Sequence, residues 1–214
     1  SQTDFLGVQT QFEYDGQPAG SAASAYGRGL LTRSTRAAGL PEEQSTRTQW
    51  HPSYDLPVEI IEAGRIAGGG SGGGSAPTDL RKTTYTYGSG GQILSITTQD
   101  LKTPAAPAQT TTLTWYGDNN NGGSGGSGNN TDPAALNGLL KTITTAAGGT
   151  TTLAYDSSGN SAGNIASITN ALGHITAYTH DGAGRITSVQ NPDGRKTAYT
   201  YSPRGWLTAR KQYA

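Results

Sequence analysis

His51, His174 and His180 are the only histidines of this 214-residue chain, and Asp156 and Asp181 lie near two of them in sequence. A histidine beside a carboxylate is the raw material of a metal site or of general acid–base catalysis. No ligand spacing recurs among them, however, so each histidine reads equally well as a polar residue facing water or filling an aromatic slot. Asp15, Asp156 and Asp181 could act as paired carboxylates. All three stand where a turn is expected, and an aspartate there is explained by bonding its own backbone. Asp118, Asn119–Asn121, Asn129, Asn130 and Asp132 form an oxygen-rich stretch of the kind calcium accepts, but their spacing matches no known calcium loop. Asn129-Asn130-Thr131 is also an N-glycosylation sequon.

Aromatic residues make the next group. Tyr85, Tyr87, Trp115, Tyr178, Tyr199, Tyr201 and Trp206, with Tyr155, could form a face on which sugars stack. The competing reading is packing between neighbouring strands, which aromatic residues stabilise, and it is the stronger of the two. Other chemistry is excluded. There are no cysteines, hence no thiol nucleophile, thiolate metal site or disulfide framework. Glycines never lead into a helix and lysine as a phosphate loop requires. Gly69 to Gly73 fits Gly-x-Ser-x-Gly only because it lies inside a Gly/Ser tract. No catalytic residue, metal or cofactor is therefore expected.

The elements that carry these residues form a repeat. Gly173, Tyr178, Gly184 and Ile186 recur as Gly194, Tyr199, Gly205 and Leu207, each 21 residues on. Within a unit, a run such as Lys196 to Tyr201 alternates threonine and aromatic residues with the period of a strand. A four-residue turn follows, Asp-x-x-Gly in its clearest form, where aspartate bonds the backbone and glycine takes positive φ. A second short strand, such as Arg185 to Val189, completes a hairpin. The strand Thr150–Tyr155 precedes its counterpart by 25 residues, because Ser157–Asn160 is duplicated as Ser161–Asn164. Upstream, Thr83–Tyr87 with Gln92–Ile96, Thr110–Tyr116 with Leu139–Ile143, Arg47–His51 with Pro57–Ile61, and Gln11–Asp15 with Gly29–Thr32 read as weaker versions, for about seven hairpins in all. Helical periodicity is absent. The best helix candidate is one turn over Pro133–Asn137 with Asp132 as its cap.

Tyr155-Asp156-Ser-Ser-Gly159-Asn160, His180-Asp181-Gly-Ala-Gly184-Arg185-Ile186 and Tyr201-Ser-Pro-Arg-Gly205-Trp-Leu207 resemble the tyrosine-aspartate (YD) repeats of RHS proteins. That family includes bacterial polymorphic toxins, the C component of insecticidal toxin complexes and animal teneurins. The resemblance is strong over residues 140–210, fair over 46–116 and weak over 1–45. It implies an all-β fold of repeated hairpins of about 21 residues, forming a curved or spiralling YD-repeat sheet. In the family that sheet builds a hollow shell that commonly encloses a toxic C-terminal domain. Seven hairpins are too few to close a large cavity, and no Asp-Pro-x-Gly motif ends this chain. The expectation is a segment or short relative of such a shell, working as a structural and interaction module and not as an enzyme. The alternative is an extracellular repeat protein that self-assembles into fibres or binds surface glycans.

Composition agrees with a strand-rich protein. Threonine occurs 31 times and tyrosine 11 times against two phenylalanines, and both favour strands. Lys plus Arg equals Asp plus Glu at 15 each, which removes the electrostatic case for nucleic acid. No apolar run is long enough to span a membrane. Arg195 to Lys211 carries five basic residues and no acidic one, a pattern that guards an edge strand. The expected partners are other shell segments or copies of the chain at open sheet edges, with a toxin cargo or surface glycan next. The expected location is secreted or at the cell surface, most readily bacterial. Gly68–Ser75 is a flexible Gly/Ser tract, which suggests three parts: degenerate hairpins over 1–65, a linker or loop over 66–78, and YD-repeat hairpins over 79–214 with a flexible loop at 117–137.

Overall fold

The computed structural model describes residues 1–4, 6–15, 28–38, 40, 43–64, 78–102, 106–117 and 132–213. Residues 66–77 of the expected linker and 118–131 of the expected loop, with the asparagine cluster and the sequon, lie outside the described residues. The chain separates into two compact units, Ser1–Thr110 and Thr111–Ala214.

The first unit contains β1 (Gln2–Thr3), β2 (Gln9–Tyr14), β3 (Leu31–Arg36), β4 (Gln44–Trp50), β5 (Pro57–Gly64), β6 (Thr78–Tyr87) and β7 (Ile93–Asp100). Each strand pairs antiparallel with the next. The second unit begins within β8 (Gln109–Trp115) and continues through β9 (Leu140–Thr144), β10 (Thr150–Tyr155), β11 (Ile165–Thr169), β12 (Ile175–His180), β13 (Ile186–Gln190), β14 (Lys196–Tyr201) and β15 (Leu207–Tyr213). Here too each strand pairs antiparallel with its successor. The expected seven hairpins are β2–β3, β4–β5, β6–β7, β8–β9, β10–β11, β12–β13 and β14–β15, so the protein is all-β and built of hairpin repeats.

Threonine explains itself in this arrangement. Hydroxyls pair across strands at Thr86–Ser95 (2.6 Å), Thr114–Thr142 (2.6 Å) and Thr179–Ser188 (2.8 Å). A β-branched hydroxyl residue thus supplies strand propensity and a cross-strand bond together. Burial is shallow. β5, β7, β10 and β11 are half-buried along nearly their whole length, and among the described residues the buried apolar side chains are only Ala37, Ala63 and Leu136. With so little core, the links between neighbouring hairpins must carry much of the stability, as in other repeat architectures.

The turns follow one rule. The residue after the outgoing strand donates its N–H to the carbonyl just before the return strand: Asp15 to Leu30, His51 to Leu56, Gly88 to Gln92, Tyr116 to Leu139, Asp156 to Asn164, Asp181 to Arg185 and Ser202 to Trp206. Gly184 and Gly205 sit at φ of 77° and 85°, where a Cβ would be strained. Longer loops keep the same closing bond. The duplicated Ser157–Asn164 stretch folds into a 3-10 turn at Gly159–Ser161 under it. A second 3-10 turn, Ala134–Leu136, replaces the expected one-turn helix, and its cap is Pro133 without any side-chain bond. Asp132 is not the cap: it accepts instead from Lys141 Nζ at 2.7 Å and from the Gly117 N–H at 3.3 Å. Proline needs no capped N–H, and a nearby ammonium is a stronger partner for a carboxylate than a backbone amide.

Candidate functional site

Every hairpin contains a β-bulge at the same place, immediately before the last residue of the outgoing strand. The register shifts at Glu13/Tyr14, Gln49/Trp50, Thr86/Tyr87, Thr114/Trp115, Ala154/Tyr155, Thr179/His180 and Thr200/Tyr201. One residue of the return strand is left without an opposite number, which bends the strand and re-aims the side chain beside it. The side chain re-aimed is aromatic in six hairpins and His180 in the other. The hydroxyl pairs at Thr86–Ser95, Thr114–Thr142 and Thr179–Ser188 lie one step before the bulge and brace it.

Re-aimed aromatic residues reach into the preceding hairpin. Trp50 Nε1 donates to the Leu31 carbonyl at 2.9 Å, Tyr87 OH to that of Pro57 at 2.6 Å, and Tyr201 OH to that of Ile186 at 2.9 Å. In all three the acceptor is the first residue of the previous return strand, directly opposite the previous bulge residue. A second contact runs the other way. In three hairpins the residue before the return strand leans towards the turn glycine of the next hairpin: Leu56 Cδ1, Asn164 Nδ2 and Arg185 Nη1 each lie 3.5 Å from where a Cβ on Gly91, Gly184 or Gly205 would stand. Arg185 also covers the Tyr201 ring at 4.8 Å. These reciprocal staples are the structure's recurrent interaction site.

Among the expected aromatic residues, Tyr87, Trp115 and Tyr201 occupy the bulge position, and Tyr155 does too. Tyr85, Tyr178 and Tyr199 precede it by two residues and so share its side of the strand; the Tyr85 and Tyr87 rings stack at 6.4 Å. Trp206 is different. It sits at the exit of the last turn and is 73% exposed. Burial, with Tyr85 alongside, raises the Tyr87 pKa, and burial with Tyr116 alongside raises that of Tyr155, so ionisation of either phenol is disfavoured. Sequence reading missed Trp50 and Tyr116 as members of this system. Tyr116 donates to the Leu153 carbonyl at 3.1 Å, meets Tyr155 edge-on at 5.7 Å and carries Lys141 over its ring. The signal for Trp50 was its place before a turn and seven residues ahead of Pro57, but tryptophan hides a tyrosine-based repeat.

The carboxylates serve turns. Asp181 Oδ1 accepts from the N–H groups of Ala183 and Arg185 at 2.9 and 3.0 Å, and Oδ2 accepts from Arg185 Nε at 2.7 Å. The Arg185 backbone bond, chiefly, lowers its pKa against an opposing effect of burial. Asp15 accepts from the N–H of Leu30 at 2.8 Å. Asp156 and His180 are brought together across consecutive hairpins, Oδ2 to Nδ1 at 3.8 Å, with the His180 side chain only 7% exposed. At that distance no hydrogen bond forms, and Nδ1 is buried without a partner. His51 accepts the Ser53 N–H at 3.1 Å and stacks on Tyr54, while the Asn170 carboxamide holds the His174 N–H at 3.0 Å. The three histidines are thus separate in function. Among the described residues no three of His, Asp and Glu converge on one point, and no helix is long and apolar enough to cross a membrane.

The RHS Repeat family profile matches residues 159–196 and 182–213. Residues 159–213 are thus similar to RHS repeats. The RHS match covers the last hairpins, whereas bulge and closing bond recur back to β2–β3 with the same geometry. Comparison with curated protein sequences finds no match. Among solved structures, the TcdB2-TccC3-Cdc42 crystal structure is similar over 96% of this chain and 9% of its own, at 18% identity and a TM-score of 0.57. The TcdB2-TccC3 structure without the hypervariable C-terminal region gives 16% identity, the same coverages and the same TM-score. The RHS fold is therefore shared with toxin-complex chains, of whose length this chain spans about one-tenth.

Proposed function

We propose that this chain is a structural segment of an RHS-type shell, of the kind that encloses or delivers a toxin outside the producing cell. The observation that carries this reading is the staple: the bulge residues Trp50, Tyr87 and Tyr201 each donate to a carbonyl of the previous hairpin. A tyrosine whose hydroxyl is used in that way has no polar rim to offer a sugar. Asp181, with both oxygens engaged at its own turn, is likewise a turn residue and not a proton carrier. The module does no chemistry. Its work is to hold successive hairpins at a fixed pitch, so that a long enough series makes a wall, and its partners are the neighbouring parts of that wall.

The test is a transplant. The chain replaces the segment it matches in a TcdB2-TccC3 shell, and the chimera is examined by electron microscopy and limited proteolysis. A closed particle with a protease-resistant interior is expected. A chimera that folds, by circular dichroism, yet leaves its interior open to protease would sink the shell reading.

A further inference from the structure

The first two hairpins break the repeat at their bulges. In the later hairpins the pair just before the bulge is small: Thr86–Ser95, Thr114–Thr142, Ala154–Ser167, Thr179–Ser188 and Thr200–Ala209. In β2–β3 that pair is Glu13–Arg33, and in β4–β5 it is Gln49–Glu59. The junction between hairpins departs in the same way. Ser167 faces Ala177 and Ser188 faces Ala198, whereas at the corresponding place Arg33 faces Arg47 across β3–β4. Glu13, Arg33, Arg47, Gln49 and Glu59, with Ile61, line one cavity of about 410 Å³ within the first unit.

Like charges directly opposite one another on neighbouring strands are destabilising, so the arginine pair needs compensation. The nearby carboxylates supply it unequally. Arg47 Nη2 reaches Asp79 Oδ1 at 2.6 Å. Glu59 is paired with Lys82. Among the described residues, Arg33 Nη1 meets Glu13 Oε1 at 3.9 Å, too long for a hydrogen bond, and its Nε is buried without a partner. The Arg33 side chain is nevertheless 37% exposed, so it can be reached from the cavity. Arg33 is thus a guanidinium with donors unmet, beside a second guanidinium, at a cavity wall.

We propose that this cavity binds a small hydroxylated carboxylate of the sugar-acid class. The ligand carboxylate sits between Arg33 and Arg47, because planar guanidinium and planar carboxylate match in geometry and charge. Its hydroxyls donate to Glu13 and Glu59 and exchange hydrogen bonds with Gln49, while its carbon skeleton lies against Ile61. The flanking carboxylates select the anion. They repel a doubly charged phosphate, whereas they accept hydrogen bonds from the hydroxyls of a monoanion. A neutral sugar leaves the arginine pair uncompensated. The cavity volume falls within the roughly 300–1,000 Å³ of small-molecule sites. This inference concerns the first unit alone and goes beyond the shell reading.

The experiment titrates the whole chain with D-glucuronate by isothermal calorimetry, up to about 10 mM, where a millimolar site is nearly saturated. D-glucose and inorganic phosphate are titrated alongside. Saturable one-to-one binding of glucuronate is expected, with glucose and phosphate each at least about tenfold weaker. Arg33→Ala should weaken glucuronate at least about tenfold. Arg33→Lys keeps the charge but loses the planar fork, and should weaken it about three- to tenfold. Arg81→Ala removes a positive charge that does not line the cavity, and should leave binding within about twofold of the parent. Circular dichroism melts check that each variant is folded. If Arg33→Ala does not fold, Arg33→Lys carries the test, together with a glucuronate-dependent rise in the parent's melting temperature that glucose does not give. Absence of saturable glucuronate binding overturns the proposal. Phosphate or glucose binding as tight as glucuronate also overturns it, as does an equal loss in Arg81→Ala, which would reduce the effect to net charge. None of these outcomes touches the shell reading, which the chimera tests separately.

Discussion

The hydroxyl of Tyr201 donates to the carbonyl of Ile186 at 2.9 Å, joining β14 to the hairpin before it. The bond separates two contributions that sequence alone merges, the ring of tyrosine and its oxygen. Tyr201→Phe keeps the ring under Arg185 and loses one hydrogen bond, an expected cost of about 0.5–1.5 kcal/mol. Tyr201→Ala removes the ring as well and should cost more, about 2–4 kcal/mol. Urea titrations followed by circular dichroism measure both. Equal losses for Phe and Ala would mean the hydroxyl does all the work.

His180 stands where other hairpins place tyrosine or tryptophan, and its Nδ1 is buried without a partner. His180→Tyr should restore the staple, with the new hydroxyl directed at the Ile165 carbonyl. The expected effect is a gain of about 1 kcal/mol, from one added bond and one relieved polar atom. A fall in melting temperature would show that the pocket cannot accept the larger ring.

The Asp181 carboxylate is stabilised in the folded state, chiefly by the Arg185 N–H, so its pKa is depressed. A group of this kind stabilises the fold above its unfolded pKa, and the contribution disappears as pH falls through the folded pKa. Asp181→Asn should therefore melt lower than the parent at pH 7. The gap should narrow as pH is lowered below the ordinary aspartate range. A gap independent of pH would assign the effect to turn geometry and not to charge.

Gly184 and Gly182 share one turn but differ in backbone. Gly184 has φ of 77°, and Gly182 has no positive φ and only an ordinary contact, 3.6 Å from its built Cβ to Asn160. Gly184→Ala should destabilise by about 1 kcal/mol, while Gly182→Ala should be neutral or slightly stabilising because it reduces unfolded-state freedom. Differential scanning calorimetry of the pair tests this, and equal shifts would count against the turn geometry.

At alkaline pH the buried phenols matter. The Tyr87 pKa is raised, first by burial and then by Tyr85. An acid whose folded pKa is raised lends stability below its unfolded value, and loses it as pH rises through the folded value. Unfolding near and above pH 10 should be promoted by Tyr87 and relieved in Tyr87→Phe, which has nothing to ionise. A parallel loss of stability in both proteins would place the alkaline weakness elsewhere.

Much of this fold is legible in the linear chain. Strands, turns and the 21-residue period follow from threonine alternation, turn aspartates and glycines, because these are local properties of a few residues and their neighbours. So does the resemblance to YD repeats, carried by Tyr155-Asp156 and Tyr201. The insertions after Asp156 and Tyr116 were readable as lengthened loops, but not as turns closed by the same backbone bond. Pro133 in place of Asp132 as the cap could not be read, because it depends on Lys141 arriving from β9.

Only the tertiary structure decides what the aromatic residues do. Alternation places Tyr199 and Tyr201 on one side of a strand, but not that a bulge at Thr200/Tyr201 turns the second ring towards Ile186. A bulge is a mismatch between two strands, and neither strand carries it alone. For the same reason the sequence shows His180 and Asp156 as residues 24 apart, and pairing of consecutive hairpins brings them to 3.8 Å. Local sequence determines the hairpin, since its bonds close within about twenty residues. The staple joins one hairpin to the next, and so it exists only once both have formed.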